Sequence, residues 1–242
     1  MTGLRVVFCH GLGAIRNNPL AISVNEWARK HGMAFENVFY DNYGNPEYIW
    51  HVDDWRRNIR QRLHPASPAL LISNSAGTQA ALRAALDVPT NSIVGLAAFA
   101  PAVCVDLDYM DKIRPGTVQR LKDGKECFHP CVDKSIKIKV NLENLQNFVE
   151  NCVCRLNPVI PIPHPVRLVH GFADPLVHYT NSIKLLKQLE TQDKSVELVN
   201  ASHFITDSSI VYKTLDSLME SVLKRKTEDE MAETVKKRVM MA

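Results

Sequence analysis

Short apolar runs alternate along this chain with segments whose apolar residues recur every three or four positions. Leu4 to Cys9 reads as a buried strand closing in the tight stretch His10-Gly11-Leu12-Gly13. Pro19 to Lys30 then has helical spacing, with Leu20, Ile22, Val24 and Trp27 on the apolar side and Gly32 as a stop signal. Ala34 to Tyr40 alternates enough for a second strand, and Asp41-Asn42-Tyr43-Gly44-Asn45-Pro46 is turn-rich. Val52 to Leu63 predicts an amphipathic helix through Trp55, Ile59 and Leu63. Pro68 to Ile72 is a strand, Thr78 to Leu86 a helix, and Ser92 to Phe99 a strand ended by Pro101. Strand and helix in strict alternation predict an α/β fold, a mostly parallel sheet with helices on both faces.

From Val103 to about Pro163 the alternation breaks. The segment is richer in charge, holds candidate helices at Thr117–Lys122 and Leu142–Cys152, and ends in Asn157-Pro158-Val159-Ile160-Pro161-Ile162-Pro163. It reads as a helical cap, or lid, inserted over the strand ends. Residues 1–102 and 164–242 then form the core and residues 103–163 the insertion. The sheet pattern resumes with a strand at Val166–Val169, a helix at Thr180–Leu189, a strand at Ser195–Val199 and a helix at Ser208–Leu223. Lys224 to Ala242 is strongly charged with no clear apolar face, a solvated helix or a frayed tail.

Composition narrows the picture. With 242 residues, 45% hydrophobic and 23% charged, the chain is an ordinary globular protein large enough to bury a core. A formal net charge of +3, with no stripe of basic and aromatic residues, argues against a nucleic-acid partner. No apolar run approaches the roughly 18 to 20 residues of a membrane helix. The N-terminal stretch lacks the pattern of a signal or transit peptide, so the expected location is the cytoplasm, or mitochondria if a transit segment precedes these residues.

The chemistry centres on Leu70-Leu71-Ile72-Ser73-Asn74-Ser75-Ala76-Gly77. A strand turning sharply into a helix presents the residue at the turn to solvent, as in the G-x-S-x-G nucleophile elbow. Here the pattern is Ser73-x-Ser75-x-Gly77, which makes Ser75 the candidate nucleophile. A Ser-rich turn after a buried strand is the alternative. Asp174 lies in His170-Gly171-Phe172-Ala173-Asp174-Pro175-Leu176-Val177, after a strand, and His203 follows the last strand. A serine hydroxyl needs a base to take its proton. Imidazole titrates near neutral pH and can return that proton to a leaving group, while a carboxylate on its far nitrogen fixes the tautomer.

The order Ser75, Asp174, His203 is that of the α/β-hydrolases. A turn-forming aspartate and a satisfied loop histidine are the blander readings of the last two. Asp207 sits too close to His203 to serve as the acid. His170 reads as structural, and His178 has no assigned role. The expected oxyanion donors are the main-chain N–H groups of Ala76 and Leu12, the latter flanked by Gly11 and Gly13 and braced by His10.

These motifs resemble the α/β-hydrolase superfamily across nearly the whole length. Leu20-Ala21-Ile22-Ser23-Val24-Asn25-Glu26-Trp27, Asp54-Trp55-Arg56-Arg57-Asn58-Ile59, and Pro161-Ile162-Pro163 with Pro165-Val166-Arg167-Leu168-Val169-His170-Gly171 are similar to the mitochondrial palmitoyl-protein thioesterase and acyl-glucuronide esterase branch. That resemblance implies cleavage of S-acyl cysteine thioesters and of acyl glucuronides, without a cofactor. The chain departs from the branch at Ser73 and Thr78, where the branch has glycine, and the resemblance implies a further strand or two and a transit segment ahead of these residues.

The expected activity is therefore a serine hydrolase of carboxylic esters or thioesters. The partner is a small-molecule or acyl-protein substrate. A non-catalytic binding protein on the same fold is the alternative. Five of six cysteines fall between Cys104 and Cys154. Cys127-Phe128-His129-Pro130-Cys131 and Cys152-Val153-Cys154 suggest zinc, but their spacings do not fit the common C-x-x-C pairs. Buried or free thiols are expected ahead of a metal or a disulfide, so no metal site is assigned.

Overall fold

The computed structural model describes residues 3–13, 18–41, 51–129 and 138–240. Six parallel strands make one sheet: β1 (Arg5–Cys9), β2 (Ala34–Asn37), β3 (Ala69–Asn74), β4 (Ile93–Phe99), β7 (Val166–Gly171) and β8 (Lys194–Val199), in the spatial order β2-β1-β3-β4-β7-β8. The short pair β5 (Cys127–His129) and β6 (Ile138–Val140) is antiparallel and separate. The chain runs outward from β1 to β2 and returns across β1 to β3. The topology therefore reverses between β1 and β3, and in open parallel sheets a crevice forms at the carboxyl ends of such strands.

Period-two burial explains the layers. Val6, Phe8, Leu70, Ile72 and Phe99 face α1 (Pro19–Lys30) and α9 (Ser208–Met240), packing against Val24, Trp27, Val211, Leu215 and Leu218. Val7, Cys9 and Leu71 face the opposite layer: α2 (Val52–Arg60), α3 (Gly77–Leu86) and α8 (Thr180–Gln188), through Trp55, Ile59, Ala80, Ala84 and Leu185. Burying each large apolar side chain contributes about 1.5–3 kcal/mol. Such alternation therefore pins strand register, because a one-residue slip would exchange every side chain between the two layers. Helix α1 starts as its sequence dictates: the Asn18 side chain accepts from Leu20 N at 3.0 Å and Pro19 occupies the first turn. Trp27 Nε1 donates to Asp216 Oδ1 at 2.7 Å and ties α1 to α9.

The predicted elements recur with small shifts at their ends. Three differences have physical causes. The helix expected at Leu142–Cys152 is two helices, α6 (Leu142–Glu150) and α7 (Val153–Leu156), because Cys152 leaves the helical region with ψ 130°. Helix α9 runs past Leu223 to Met240; beyond the sheet it is largely exposed and carries the i,i+4 pairs Lys224–Glu228 and Lys226–Glu230. Helix α4 (Tyr109–Ile113), which precedes α5 (Thr117–Lys122), and the β5–β6 pair were not expected, being too short to show a periodic pattern. The turn expected over Asp41 to Pro46 lies, from Asn42 onward, outside the described residues, as do Pro130 and Cys131.

The expectation of buried or free thiols holds at Cys127 and Cys152 and is corrected at Cys104 and Cys154. Cys104 and Cys154 form a disulfide, with Cα atoms 5.3 Å apart. It ties the segment that leaves β4 to α7, joining residues 50 positions apart, and no spacing rule in the sequence identifies such a partner. Cys152 is a buried thiol beside it, its Sγ accepting from Cys104 N at 3.1 Å. Burial pushes that thiol's pKa up, while main-chain N–H groups of Cys154, Cys104 and Val105 act against the rise. Among the described residues no three His, Cys, Asp or Glu side chains gather as metal ligands, and no helix is long and apolar enough to cross a membrane.

Candidate active site

Strand β3 ends at Asn74, and the chain turns at Ser75 with φ 49° before α3 begins at Gly77. A non-glycine residue in the left-handed region is strained and persists only where its surroundings hold it. Here they do. Ser75 N donates to Phe99 O at 3.0 Å, Ala102 N donates to Ser75 O at 3.0 Å, and Thr78 N donates to Ser75 O at 3.1 Å. The turn also needs close approach of α3 to the loop after β1. A Cβ on Gly77 would lie 2.8 Å from the His10 carbonyl carbon and nearer still to the carbonyl oxygens of His10 and Cys9. Ser73, where the resembled branch has glycine, is buried and fits within the sheet.

Asp174 and His203 come from the loops after β7 and β8. The two loops touch: a Cβ on Gly171 would stand 2.7 Å from the Ala201 carbonyl carbon. His203 Nε2 lies 2.9 Å from Ser75 Oγ across 128 residues of sequence, and His203 Nδ1 lies 2.7 Å from Asp174 Oδ2. An ionised carboxylate only accepts, so Nδ1 carries the proton and Nε2 is left to accept from the serine hydroxyl. Asp174 Oδ1 accepts from the main-chain N–H groups of Leu176 at 2.8 Å and Val177 at 2.9 Å. Burial alone would raise the Asp174 pKa. Hydrogen bonds from His170 and His203, the charge on His203 and the Val177 N–H more than offset this and hold it well below the usual carboxylate range.

Leu12 and Ala76 line the same cavity as Ser75 and His203, and their main-chain N–H groups make no hydrogen bond among the described residues. Main-chain N–H groups beside a reactive hydroxyl are the kind of donor that stabilises an oxyanion when aimed at it. His10, before Leu12, packs its ring on Tyr40 with centroids 4.5 Å apart; Tyr40 Oη donates to its carbonyl at 3.0 Å. Burial pushes the His10 imidazole down to about 4, so it is neutral near pH 7.

The rest of the cavity is mainly apolar. Leu20 and Ile205 contribute from the core, and Val105, Tyr109 and Phe148 from the segment between β4 and β7. Gln79 on α3 donates from Nε2 to the Phe148 carbonyl at 2.7 Å, joining the helix behind Ser75 to α6. Sequence reasoning missed these wall residues, since no periodic or motif signal marks them. It also treated His170 only as a structural residue. Asp207 is exposed and accepts from Ser209 N and Oγ, away from His203 Nδ1. His178 is exposed and pairs with Thr180 Oγ1 at 2.8 Å.

A six-stranded parallel sheet with helices on both faces, and Ser75 at the sharp turn after β3, define the α/β-hydrolase fold. No protein-family model matches the chain. It resembles the mitochondrial palmitoyl-protein thioesterase ABHD10 of Rattus norvegicus, with 23% identity over 234 residues that cover 90% of this chain and 75% of that protein. Among solved structures, α/β-hydrolase domain-containing protein 10 from mouse superposes with a TM-score of 0.76 at 22% identity, covering 91% of this chain and 90% of that one. A monoacylglycerol lipase of Paleococcus ferrophilus superposes with a TM-score of 0.60 at 16% identity, covering 90% and 93%.

Proposed function

We propose that this protein is a serine hydrolase of carboxylic esters and thioesters, and that S-acyl cysteine thioesters are among its substrates. The observation that carries the reading is the 2.9 Å contact between His203 Nε2 and Ser75 Oγ, in a cavity lined by two free main-chain donors. Ser75 Oγ attacks the acyl carbonyl carbon as His203 takes its proton. The carbonyl oxygen becomes an oxyanion between the N–H groups of Leu12 and Ala76. Asp174 holds the Nδ1–H tautomer of His203 and stabilises the imidazolium. Collapse expels an alcohol or thiol, which leaves with the proton from His203. Water, deprotonated by His203, then cleaves the acyl-enzyme and releases the acid and free Ser75. Every group that moves a proton or stabilises charge in this cycle is supplied by the chain.

Residues 103–163 act as the cap in this reading. The support is that Tyr109, His129 and Phe148 line the cavity from that segment. The apolar wall suits an acyl chain, and the names of the relatives, palmitoyl-protein thioesterases, support the thioester class. Those names also support mitochondria over the cytoplasm as the location.

The test is labelling with a fluorophosphonate, followed by rates on esters and thioesters of increasing acyl length. Labelling that vanishes in Ser75→Ala, with turnover lower by about a thousandfold or more, is expected. Labelling that persists in the folded variant overturns the assignment. An unlabelled wild type would favour the non-catalytic binding protein.

A further inference from the structure

We infer that His170 is a positioning residue for the proposed reaction: by donating its Nε2–H to the carboxylate of Asp174, it shares the charge that would otherwise fall on His203 and so sets the basicity of His203. The inference rests on the reading of Ser75, His203 and Asp174 given above.

The geometry fixes a proton on one ring nitrogen of His170, Nε2. Its Nε2 lies 3.1 Å from Asp174 Oδ2 and 2.8 Å from the Val177 carbonyl oxygen. Both are acceptors only, so Nε2 must carry a proton. Nδ1 lies 2.6 Å from Ser182 Oγ on α8, a hydroxyl able to donate to it. Both ring nitrogens are thus satisfied, with Nε2 protonated and the ring fixed from β7 and α8. His170, Asp174 and Ser182 side chains are all buried, where hydrogen bonds to a charged oxygen are strong.

Asp174 therefore receives four N–H groups: two main-chain donors on Oδ1, and two imidazoles on Oδ2. A carboxylate spread over four donors stabilises a neighbouring imidazolium less than one bound to His203 and the main chain alone. The ionisable groups that face Asp174 directly are His170 from β7 and His203 from the loop after β8. Helix α8 presents the Ser182 hydroxyl and, through the cavity on the far side of the 174–177 loop, Lys184; that cavity also holds Asp106, Lys112 and His178. These outer groups are largely exposed and screened by solvent, so the buried donor from His170 dominates.

The direction follows. Loss of the His170 donor leaves more charge on Oδ2, favours protonated His203, and moves the acid limb of the pH–rate profile to higher pH. In His170→Phe that limb, measured as kcat/KM on an activated ester, is expected to rise by about half a pH unit or more. His170→Gln, which can donate from its own Nε2, is expected to keep the limb near its wild-type position. A lower rate with an unmoved limb in His170→Phe, or equal shifts in both variants, overturns the inference.

Imidazole ¹⁵N–¹H NMR of the wild type needs no variant to fold. It should find His170 protonated at Nε2; an unprotonated Nε2 could not donate to Asp174 and would overturn the inference. Should hydrolysis survive Ser75→Ala, the functional reading fails instead, and the NMR outcome still decides the tautomer.

Discussion

The position of a Cβ on Gly77 is 2.8 Å from the carbonyl carbon of His10, closer than side chains approach a backbone. The start of α3 and the loop after β1 are therefore in backbone contact. Gly77→Ala must push the two segments apart. It is expected to cost about 1–3 kcal/mol of stability and, if the Ala76 and Leu12 N–H groups serve the proposed reaction as oxyanion donors, to lower kcat more than it raises KM. Denaturant unfolding and steady-state kinetics check both parts. An Ala variant of wild-type stability would show that the loop yields freely.

Ser75 holds φ 49° in a segment otherwise built for tight packing. Glycine adopts that region without penalty. Ser75→Gly is expected to be inactive yet about 1 kcal/mol more stable than Ser75→Ala. Thermal melts of the two inactive variants make the comparison without interference from catalysis. Equal stabilities would mean that the turn carries no strain.

His10 is buried and neutral, its pKa pushed down to about 4 by loss of solvent. A histidine with a lowered folded pKa binds fewer protons folded than unfolded. Its share of stability is complete above its ordinary value near 6.5 and is lost as pH falls toward 4. Over that window it should remove about 3 kcal/mol, measured as the fall in unfolding free energy between pH 7 and 4. His10→Gln, which keeps a polar side chain that does not titrate, should flatten the decline; an unchanged slope would show that other groups produce it.

The Cys104–Cys154 bond closes a 50-residue separation around the segment that contributes Tyr109, His129 and Phe148 to the cavity. On the chain-entropy account, a loop of that size is worth about 4 kcal/mol, with native-state effects reducing it. Cys104→Ser is expected to lower the melting temperature by several degrees and to make it insensitive to dithiothreitol. The wild-type melt should fall on reduction. A wild type whose melting temperature ignores reductant would mean that the bond contributes nothing to stability.

Much of the core was legible along the chain because its rules are local. Apolar period two and period 3.6 announced the sheet strands and the long helices, since a residue's face depends only on its own segment. Chain order named Ser75, Asp174 and His203 as candidates because each follows a strand, and parallel strands bring their carboxyl ends to one edge. Four things waited for the tertiary structure. The strand order put the β1 and β3 loops side by side. Cys104 found Cys154 at a range no spacing rule reaches. Tyr109 and Phe148 became cavity wall through packing rather than pattern. His170, four residues before Asp174, turned out to share its carboxylate, because a donor and an acceptor meet only where the backbone aims both. Periodicity is written into each segment separately. Partnership between distant segments is settled by which buried groups can satisfy one another once the layers close.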